Sequence, residues 1–269
     1  MLSLLKSIVK KTPFARPFIF LKGKVTRPHS QNDEARIISR LVDRFNVPHC
    51  FVEFGFGGWE FNCAELAYDW DGLLLDGDAY NVTIARTLFP RRVKAERVCI
   101  TLETLETINR FATDREIGIL SVDVDGNDYW FVEKLLPIRP AILVVEYNSS
   151  LGLRPLSIPY DPAFYYRNYD TIFYYGASLV AFDHLAKAHG YSLIEVQKAG
   201  INAFFVRDDL LGPNDRPLDP TNAYRAQAYP DGSSPEDRWE QIEHMPFIDV
   251  TAAPRNPGDR PAGPIRRSS

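Results

Sequence analysis

Acidic side chains fall at the ends of several stretches that have the composition of β-strands. Six acids and one amide make up this set: Glu53, Asp76, Asp78, Asp123, Asp125, Glu146 and Asn148. Ligands of an open α/β sheet bind beyond the carboxyl ends of its strands, so these side chains are expected to share one cleft. There they can accept hydrogen bonds from hydroxyl groups, act as a general base or hold a hard cation.

The first two acids frame a glycine-rich turn. Residues 51–58 join an apolar run to this turn, and Asp76 ends a second apolar run 23 residues after Glu53. Gly55 and Gly57 let the backbone approach a cofactor closely, and Asp76 can accept both hydrogens of a ribose diol. The spacing predicts the first half of a nucleotide-binding sheet, although a glycine cluster after a strand is often only a tight turn.

Glu53 shifts the prediction from a dinucleotide to S-adenosylmethionine. Methyltransferases commonly carry an acid at the end of the first strand, whereas a dinucleotide site keeps glycine close behind the strand for the pyrophosphate. Glu53 and Asn62 are expected to orient the methionyl end of the cofactor, and Glu96 the adenine side. The predicted cofactor-binding residues are Glu53, Gly55, Gly57, Asn62, Asp76, Asp78 and Asp123.

The acids after the fourth and fifth strands point to the methyl acceptor. Asp125, Glu146 and Asn148 would converge if both strands stayed extended, and their oxygen atoms suit Mg²⁺. Without a metal, Asp125, Glu146 or His184 could act as the general base. The structural alternative is that residues 125–128 form only a turn and a helix cap.

The elements that must position these residues alternate along the chain. Strands are predicted at about 50–54, 72–76, 92–96, 117–124, 141–147, 192–197 and 202–206. Helices are predicted from the Ser30 cap to Pro48, and near 60–69, 81–88, 102–111, 129–136 and 177–189. Strands that alternate with helices indicate a parallel sheet, and the tight turn at 198–200 requires an antiparallel last pair. We therefore predict a Rossmann-like doubly wound α/β sheet of seven strands, in the order 3-2-1-4-5-7-6, with its last strand antiparallel.

The chain divides into a basic extension (1–29), a methyltransferase-like domain (30–210) and a proline-rich extension (211–269) with a disordered end. An insertion at 149–176 separates strands 5 and 6, and eight of the sixteen residues 160–175 are aromatic. This aromatic segment predicts either a lid over the acceptor or a second hydrophobic cluster or dimer surface.

Composition restricts the partners and the compartment. The net charge of −4 gives no indication of nucleic-acid binding. The first 27 residues carry seven basic residues and no acid. This segment predicts either peripheral contact with an anionic membrane or a helix that packs on the domain or on a partner chain. Cys50, Cys63 and Cys99 are expected to be reduced fillers of the core, which indicates a cytoplasmic protein.

The order of several motifs resembles that of FkbM-type methyltransferases. The matching residues are Ser30-Gln31, 51–58, Asn62, Trp70-Asp71-Gly72, Leu74-Leu75-Asp76 and 119–126, within a region that covers about residues 30–207. The sequence departs from that pattern in Asp76-Gly77-Asp78, where Glu-Pro is usual, and in Asp125, which replaces a glutamate.

The resemblance implies methylation of a hydroxyl on a sugar, glycolipid or small metabolite, with S-adenosylmethionine as cofactor and Mg²⁺ as an optional second one. Two alternatives stay open, a catalytically silent binding or scaffold protein and a nicotinamide-dinucleotide enzyme. The expected partners are a small-molecule or glycan acceptor and a second copy of the chain in a homo-oligomer.

Overall fold

A computed structural model describes residues 15–252. Its strands are β1 (Cys50–Phe54), β2 (Asp71–Asp76), β3 (Val93–Arg97), β4 (Ile119–Val122), β5 (Ile142–Glu146), β6 (Leu156–Ser157), β7 (Tyr191–Val196), β8 (Asn202–Arg207) and β9 (Ile248–Asp249). Its α-helices are α1 (Ala15–Val25), α2 (Glu34–Phe45), α3 (Ala79–Leu88), α4 (Glu106–Ala112), α5 (Asp128–Leu135), α6 (Leu179–Ala188), α7 (Pro220–Ala223) and α8 (Pro235–Ile242).

Seven strands form one sheet in the order β3-β2-β1-β4-β5-β8-β7. The pairs from β3 to β5 are parallel, and β8 runs antiparallel to both β5 and β7. Counted within this sheet alone, the order is 3-2-1-4-5-7-6, because the short β6 pairs with β9 elsewhere. The predicted Rossmann-like methyltransferase fold is therefore confirmed.

The sheet is buried on both faces because helices cover each side. Every residue of β1 and β4 is buried. Successive side chains of a strand point to opposite faces, so Val52 and Phe54 enter one core while Phe51 enters the other. This double burial explains why the central strands have nearly uninterrupted apolar sequences.

The segment after β1 differs from the prediction. A helix was expected near residues 60–69, but that region consists of turns and one short 3₁₀ helix, Leu66–Tyr68. The Glu53 carboxylate accepts hydrogen bonds from the backbone N–H groups of Asn62 and Cys63, at 2.7 and 2.9 Å. A buried side chain therefore organises these residues where a regular helix was predicted.

One cysteine also differs from the prediction. Cys50 and Cys63 are buried, whereas Cys99 is exposed. Cys99 lies just beyond the end of β3, in a stretch without regular structure, so its side chain leaves the sheet before it can enter the core.

The insertion packs against the C-terminal segment. Leu151, Ile158 and Tyr174 form a small core together with Ile242 of α8, and β6 pairs with β9. The predicted hydrophobic cluster is therefore present, and the prediction of a disordered end concerns residues outside the described range. Within residues 15–252, no helix is long and apolar enough to cross a membrane.

Candidate active site

A cleft of about 590 Å³ lies beyond the carboxyl ends of β1, β4 and β5. Four separate parts of the chain line it: the segment before α2, the loops after these strands, the insertion and the C-terminal segment. The lining residues are Gln31, Gly55, Gly57, Glu60, Asp123, Asp125, Glu146, Tyr166, Arg167, Ile172, Tyr175, Ile201, Gln227 and Tyr229. This is the edge of the sheet at which the sequence placed the site.

Gly55 permits the closest backbone approach at this edge. Its φ is +83°, and a Cβ at this position would lie 1.4 Å from the carbonyl oxygen of Asp123. Only glycine satisfies both restrictions, because other residues rarely adopt this conformation and have no space here. Gly57 lines the cleft as well, and its carbonyl accepts a hydrogen bond from the Glu60 N–H at 2.7 Å. The tight turn therefore leaves backbone, not side chains, facing a ligand.

Glu53 holds this turn from beneath. Its side chain is almost fully buried, and its two carboxylate oxygens bind the N–H groups of Asn62 and Cys63. Asn62 in turn donates a hydrogen bond from Nδ2 to the Ser121 hydroxyl at 3.0 Å. Burial raises the pKa of Glu53 to about 7, against the lowering effect of these hydrogen bonds. Neither Glu53 nor Asn62 lines the cleft, so both act on a ligand through the loop that they position.

Asp76 stands at the end of β2, as predicted. Its Oδ1 accepts hydrogen bonds from the Asp78 N–H at 2.6 Å and from Asn81 Nδ2 at 3.3 Å. Burial raises its pKa to about 6, and the neighbouring Asp78 charge adds to this effect. Asn81 also donates to the Phe56 carbonyl at 3.1 Å, which ties Asp76 to the glycine turn. Asp78 is exposed and caps α3 by accepting from the Tyr80 N–H.

Three carboxyl groups meet on the floor of the cleft. Asp123, Asp125 and Glu146 each offer an oxygen, and these oxygens lie within 4.8 Å of one another. Burial raises the pKa of all three, and the repulsion of neighbouring carboxylates raises those of Asp123 and Glu146 further. Glu146 donates a hydrogen bond to Asp123, and its own Oε2 is buried without a hydrogen-bond donor. The cluster therefore favours a bound proton or cation.

Asp128 fixes the loop that carries Asp125. Its buried carboxylate accepts hydrogen bonds from the N–H groups of Val124 and Gly126, at 2.8 and 2.9 Å. Asp125 between them has a φ of +54°, a backbone conformation that is uncommon for non-glycine residues. Burial raises the pKa of Asp128 to about 6. Strain is held at Asp125 by this cap, which directs its exposed carboxylate to the mouth of the cleft.

Aromatic residues from two distant segments form the opposite wall. Tyr175 of the insertion donates a hydrogen bond to Tyr229, which donates to Gln227 Oε1 at 2.9 Å. The Tyr229 ring lies under the guanidinium of Arg238, 4.7 Å from its centroid. Arg238 is fully buried and also donates to the Gln227 carbonyl at 3.1 Å. These contacts fix the wall relative to the sheet.

Three predicted residues do not reach the cleft. Asn148 is fully buried, and its Nδ2 donates to the carbonyls of Phe173 and Tyr175, while its Oδ1 accepts from the Ser150 N–H. It fastens the insertion and does not join the carboxylate cluster. His184 is exposed on α6, because Ala181, Phe182, Leu185 and Ala186 of that helix occupy its buried face. Glu96 is half-buried on β3 and pairs in register with Leu75, away from the cleft lining.

The sequence did not identify the residues that the C-terminal segment contributes. Gln227 and Tyr229 lie more than eighty residues beyond Glu146 in a segment without an obvious motif. The change in composition after residue 211 was its only signal, and that change indicated an extension and not a site. Gln31 was singled out only as part of the Ser30-Gln31 motif.

No family model matches this sequence, and no curated protein matches it. Among solved structures, an O-methyltransferase from Bacillus cereus in complex with SAH (S-adenosylhomocysteine) is 14% identical, with 72% of this chain and 89% of that chain covered and a TM-score of 0.46. A putative caffeoyl-CoA O-methyltransferase from Staphylococcus aureus is also 14% identical, with 76% and 98% covered and a TM-score of 0.46.

The N-terminal domain of EvdMO1, crystallised in the presence of SAH and D-fucose, is 13% identical, with 71% and 94% covered and a TM-score of 0.41. Similarity at this level carries no substrate or activity to this chain. The resemblance to FkbM-type methyltransferases stays a prediction, and the function must be inferred from the residues of the cleft.

Proposed function

We propose that this protein is an S-adenosylmethionine-dependent methyltransferase that acts on a hydroxyl group of a small-molecule or glycan acceptor. One observation carries the proposal. The glycine at the end of β1 packs directly against the Asp123 backbone, so a loop suited to a cofactor adjoins a cluster of carboxyl groups with raised pKa values. A methyl donor and a proton acceptor therefore fit side by side at one edge of the sheet.

The cofactor's two ends would bind to different strands. Asp76 at the end of β2 would accept hydrogen bonds from the ribose hydroxyls, since both of its described hydrogen bonds use Oδ1. Gly55 and Gly57 would lie against the methionyl part, where the absence of side chains allows close contact. The negative charge of the nearby Asp123 cluster favours a sulfonium cation at this position.

The carboxyl cluster would receive the acceptor's proton. The acceptor oxygen attacks the methyl carbon, the carbon–sulfur bond breaks, and S-adenosylhomocysteine leaves with the electron pair on sulfur. The hydroxyl proton passes to a carboxylate, and we assign this role to Asp125, the exposed member of the cluster. Its raised pKa makes it a better proton acceptor than an ordinary aspartate. Alignment and exclusion of water would provide most of the acceleration.

The same cluster fits a divalent cation, which is the second way to use it. Asp123, Asp125 and Glu146 would be the ligands, and the buried, unpartnered Oε2 of Glu146 is the atom that most lacks a positive partner. Hard cations such as Mg²⁺ prefer oxygen ligands of this kind. A bound cation would supply Lewis acidity toward the acceptor oxygen. Asn148 is not part of this ligand set, because its side chain is engaged in the interior.

The wall of the cleft favours an acceptor with both flat and polar surfaces. Tyr166, Tyr175 and Tyr229 offer aromatic faces, and Ile172 adds an apolar contact with about half of its surface exposed. Sugar rings and aromatic rings both pack on such faces. The carboxylates opposite can accept hydrogen bonds from acceptor hydroxyls, which supports a polyhydroxylated or phenolic acceptor.

Binding and turnover can be tested separately. Titration calorimetry should show binding of S-adenosylhomocysteine and none of NAD; the reverse result would refute the cofactor assignment. Radiolabelled S-adenosylmethionine incubated with extracted metabolites and glycans should give a labelled product that Asp125→Asn abolishes. Asp114→Asn, an exposed acid beyond the end of α4, is the matched control and should keep full activity. Cofactor binding without product from any extract would favour a binding or scaffold protein.

Chelation distinguishes the two roles of the carboxyl cluster. Full activity in EDTA would assign Asp125 as a general base without a cation. Loss of activity that returns with Mg²⁺, while the affinity for S-adenosylhomocysteine stays unchanged, would establish the cation on the acceptor side. Glu146→Gln should reduce turnover in both cases, but only a cation site predicts that excess metal partly restores this variant.

A further inference from the structure

Helix α1 presents large apolar side chains to solvent. Leu21 is 67% exposed and Val25 is 87% exposed, and their spacing of four residues places them on one face of the helix. Phe20 beside them is 53% exposed and borders a shallow groove that Tyr68 also lines. Contiguous exposed apolar surface of this kind marks an interaction site.

The surroundings of this apolar face are basic. Arg16, Lys22 and Arg27 are exposed on or beside α1, and the first acid of the whole chain is Asp33. The protein as a whole carries a net charge of −4, so the positive charge is confined to this end. Apolar side chains surrounded by basic ones are the combination that binds an anionic lipid surface.

The helix is fixed to the domain, so its exposed face has a defined orientation. Ile19 on the opposite face is fully buried. Gly23 lies so close to Leu88 of α3 that a Cβ would be 2.3 Å from the Leu88 side chain. Lys22 lies over the Trp59 ring, 4.3 Å from its centroid. The exposed face is therefore the side left over after α1 has packed.

Only a few residues separate this face from the cleft. After α1, the His29 N–H donates to the Trp59 carbonyl at 3.2 Å, and the His29 carbonyl accepts from the Phe61 N–H at 2.9 Å. Gln31, two residues later, lines the cleft. A surface that binds α1 would therefore lie near the edge at which the acceptor enters.

We propose that α1 attaches the protein to the surface of an anionic lipid bilayer through Leu21, Val25 and Phe20, with the surrounding basic residues contacting lipid headgroups. A second copy of the chain is the competing occupant of this face. Isologous pairing of two α1 helices would bring two sets of seven basic residues together without any acid among them. An anionic membrane supplies the opposite charge, whereas a second copy does not.

The test is flotation of the full-length protein with lipid vesicles at 0.1 M salt. Vesicles of phosphatidylcholine with 30% phosphatidylglycerol should carry the protein, whereas pure phosphatidylcholine vesicles should carry much less. Leu21→Ser/Val25→Ser should weaken binding by about tenfold or more through lost apolar contact with the lipid. Arg16→Gln/Arg27→Gln should weaken it as well, and 0.5 M salt should mimic this effect.

The matched control is Leu153→Ser/Leu218→Ser, which removes two leucines that are 43% and 37% exposed outside α1. It should bind vesicles like the wild type, and both double variants should keep the wild-type melting temperature. Equal binding to both vesicle types, or equal loss in the control, would overturn the proposal. So would absence of vesicle binding together with a dimer in sedimentation that Leu21→Ser/Val25→Ser dissociates. Vesicle binding requires neither cofactor nor turnover, so its failure is distinct from failure of the proposed activity.

Discussion

The protonation of Asp76 should control the affinity for S-adenosylhomocysteine. Burial at the end of β2 raises the pKa of this carboxyl to about 6 in the free protein. Ribose hydroxyls donate hydrogen bonds, so the ionised carboxylate is the form that binds them. Above pH 6 the binding form predominates, and below pH 6 the ligand must displace a proton. Affinity should therefore fall as pH decreases through about 6.

The magnitude follows from the fraction of ionised carboxyl. A group with a pKa of about 6 is ionised in roughly one molecule in eleven at pH 5 and in nearly all molecules at pH 8. The dissociation constant should thus rise by about tenfold between pH 8 and pH 5. Removing the charge by Asp76→Asn should weaken binding at pH 8 by about 1.5–3 kcal/mol, the value of hydrogen bonds to a charged group.

Titration calorimetry at pH 5, 6, 7 and 8 measures both effects. Asp76→Asn should show weak binding with little dependence on pH over this range. Asp71→Asn is the matched control, because Asp71 is an exposed acid at the opposite end of the same strand, and it should keep the wild-type profile. A wild-type affinity that is constant from pH 5 to pH 8, or an Asp76→Asn variant that binds like the wild type, would refute the assignment of Asp76 to the ribose.

Three further predictions concern the framework of the site. Gly55→Ala should lower the free energy of unfolding by about 2–5 kcal/mol in urea titrations, because it adds left-handed strain to a clash with backbone. Gly58→Ala has no close neighbour and should have little effect, so equal losses would contradict this explanation. Asn148→Ala should lower the free energy of unfolding by about 3 kcal/mol or more, since three buried backbone groups lose their partners; a small change would show that the insertion does not depend on Asn148. Burial raises the pKa of Glu53 to about 7, so the stability that its protonated form contributes is complete below its ordinary pKa and is lost as pH rises through 7, by about 3 kcal/mol. Urea titrations from pH 5 to pH 8 should show a smaller decline for Glu53→Gln than for the wild type, and parallel curves would assign the decline to other groups.

Local patterns in the sequence predicted the sheet well. Cys50–Phe54 and Asn202–Arg207 were expected almost at the bounds that the structure shows, because buried strands need uninterrupted apolar runs with polar or glycine-rich ends. The order of the strands followed from the alternation with helices and from the short turn at 198–200. The helix expected at 60–69 was wrong because the Glu53 carboxylate, nine residues earlier, takes the N–H groups that open it.

The site was predicted less completely because its geometry depends on what happens after each strand ends. Asp123 and Asp125 were expected to converge as alternate residues of an extended strand, but β4 ends at Val122. They meet because Asp128 caps the intervening loop. The same pleat argument placed Asn148 beside Glu146, although the chain leaves β5 at Glu146 and turns Asn148 into the interior.

The sequence by itself determined the sheet, the edge at which ligands bind, and the glycine and acid that suit a nucleoside cofactor. These features are written in residues that are close together in the chain, whose periodicity and backbone preferences act locally. Only the tertiary structure decided which carboxyl groups share a proton, and that Tyr229 and Gln227 complete the cleft opposite them. Those contacts join segments more than eighty residues apart, and they form only after the insertion and the C-terminal segment have packed into a common core.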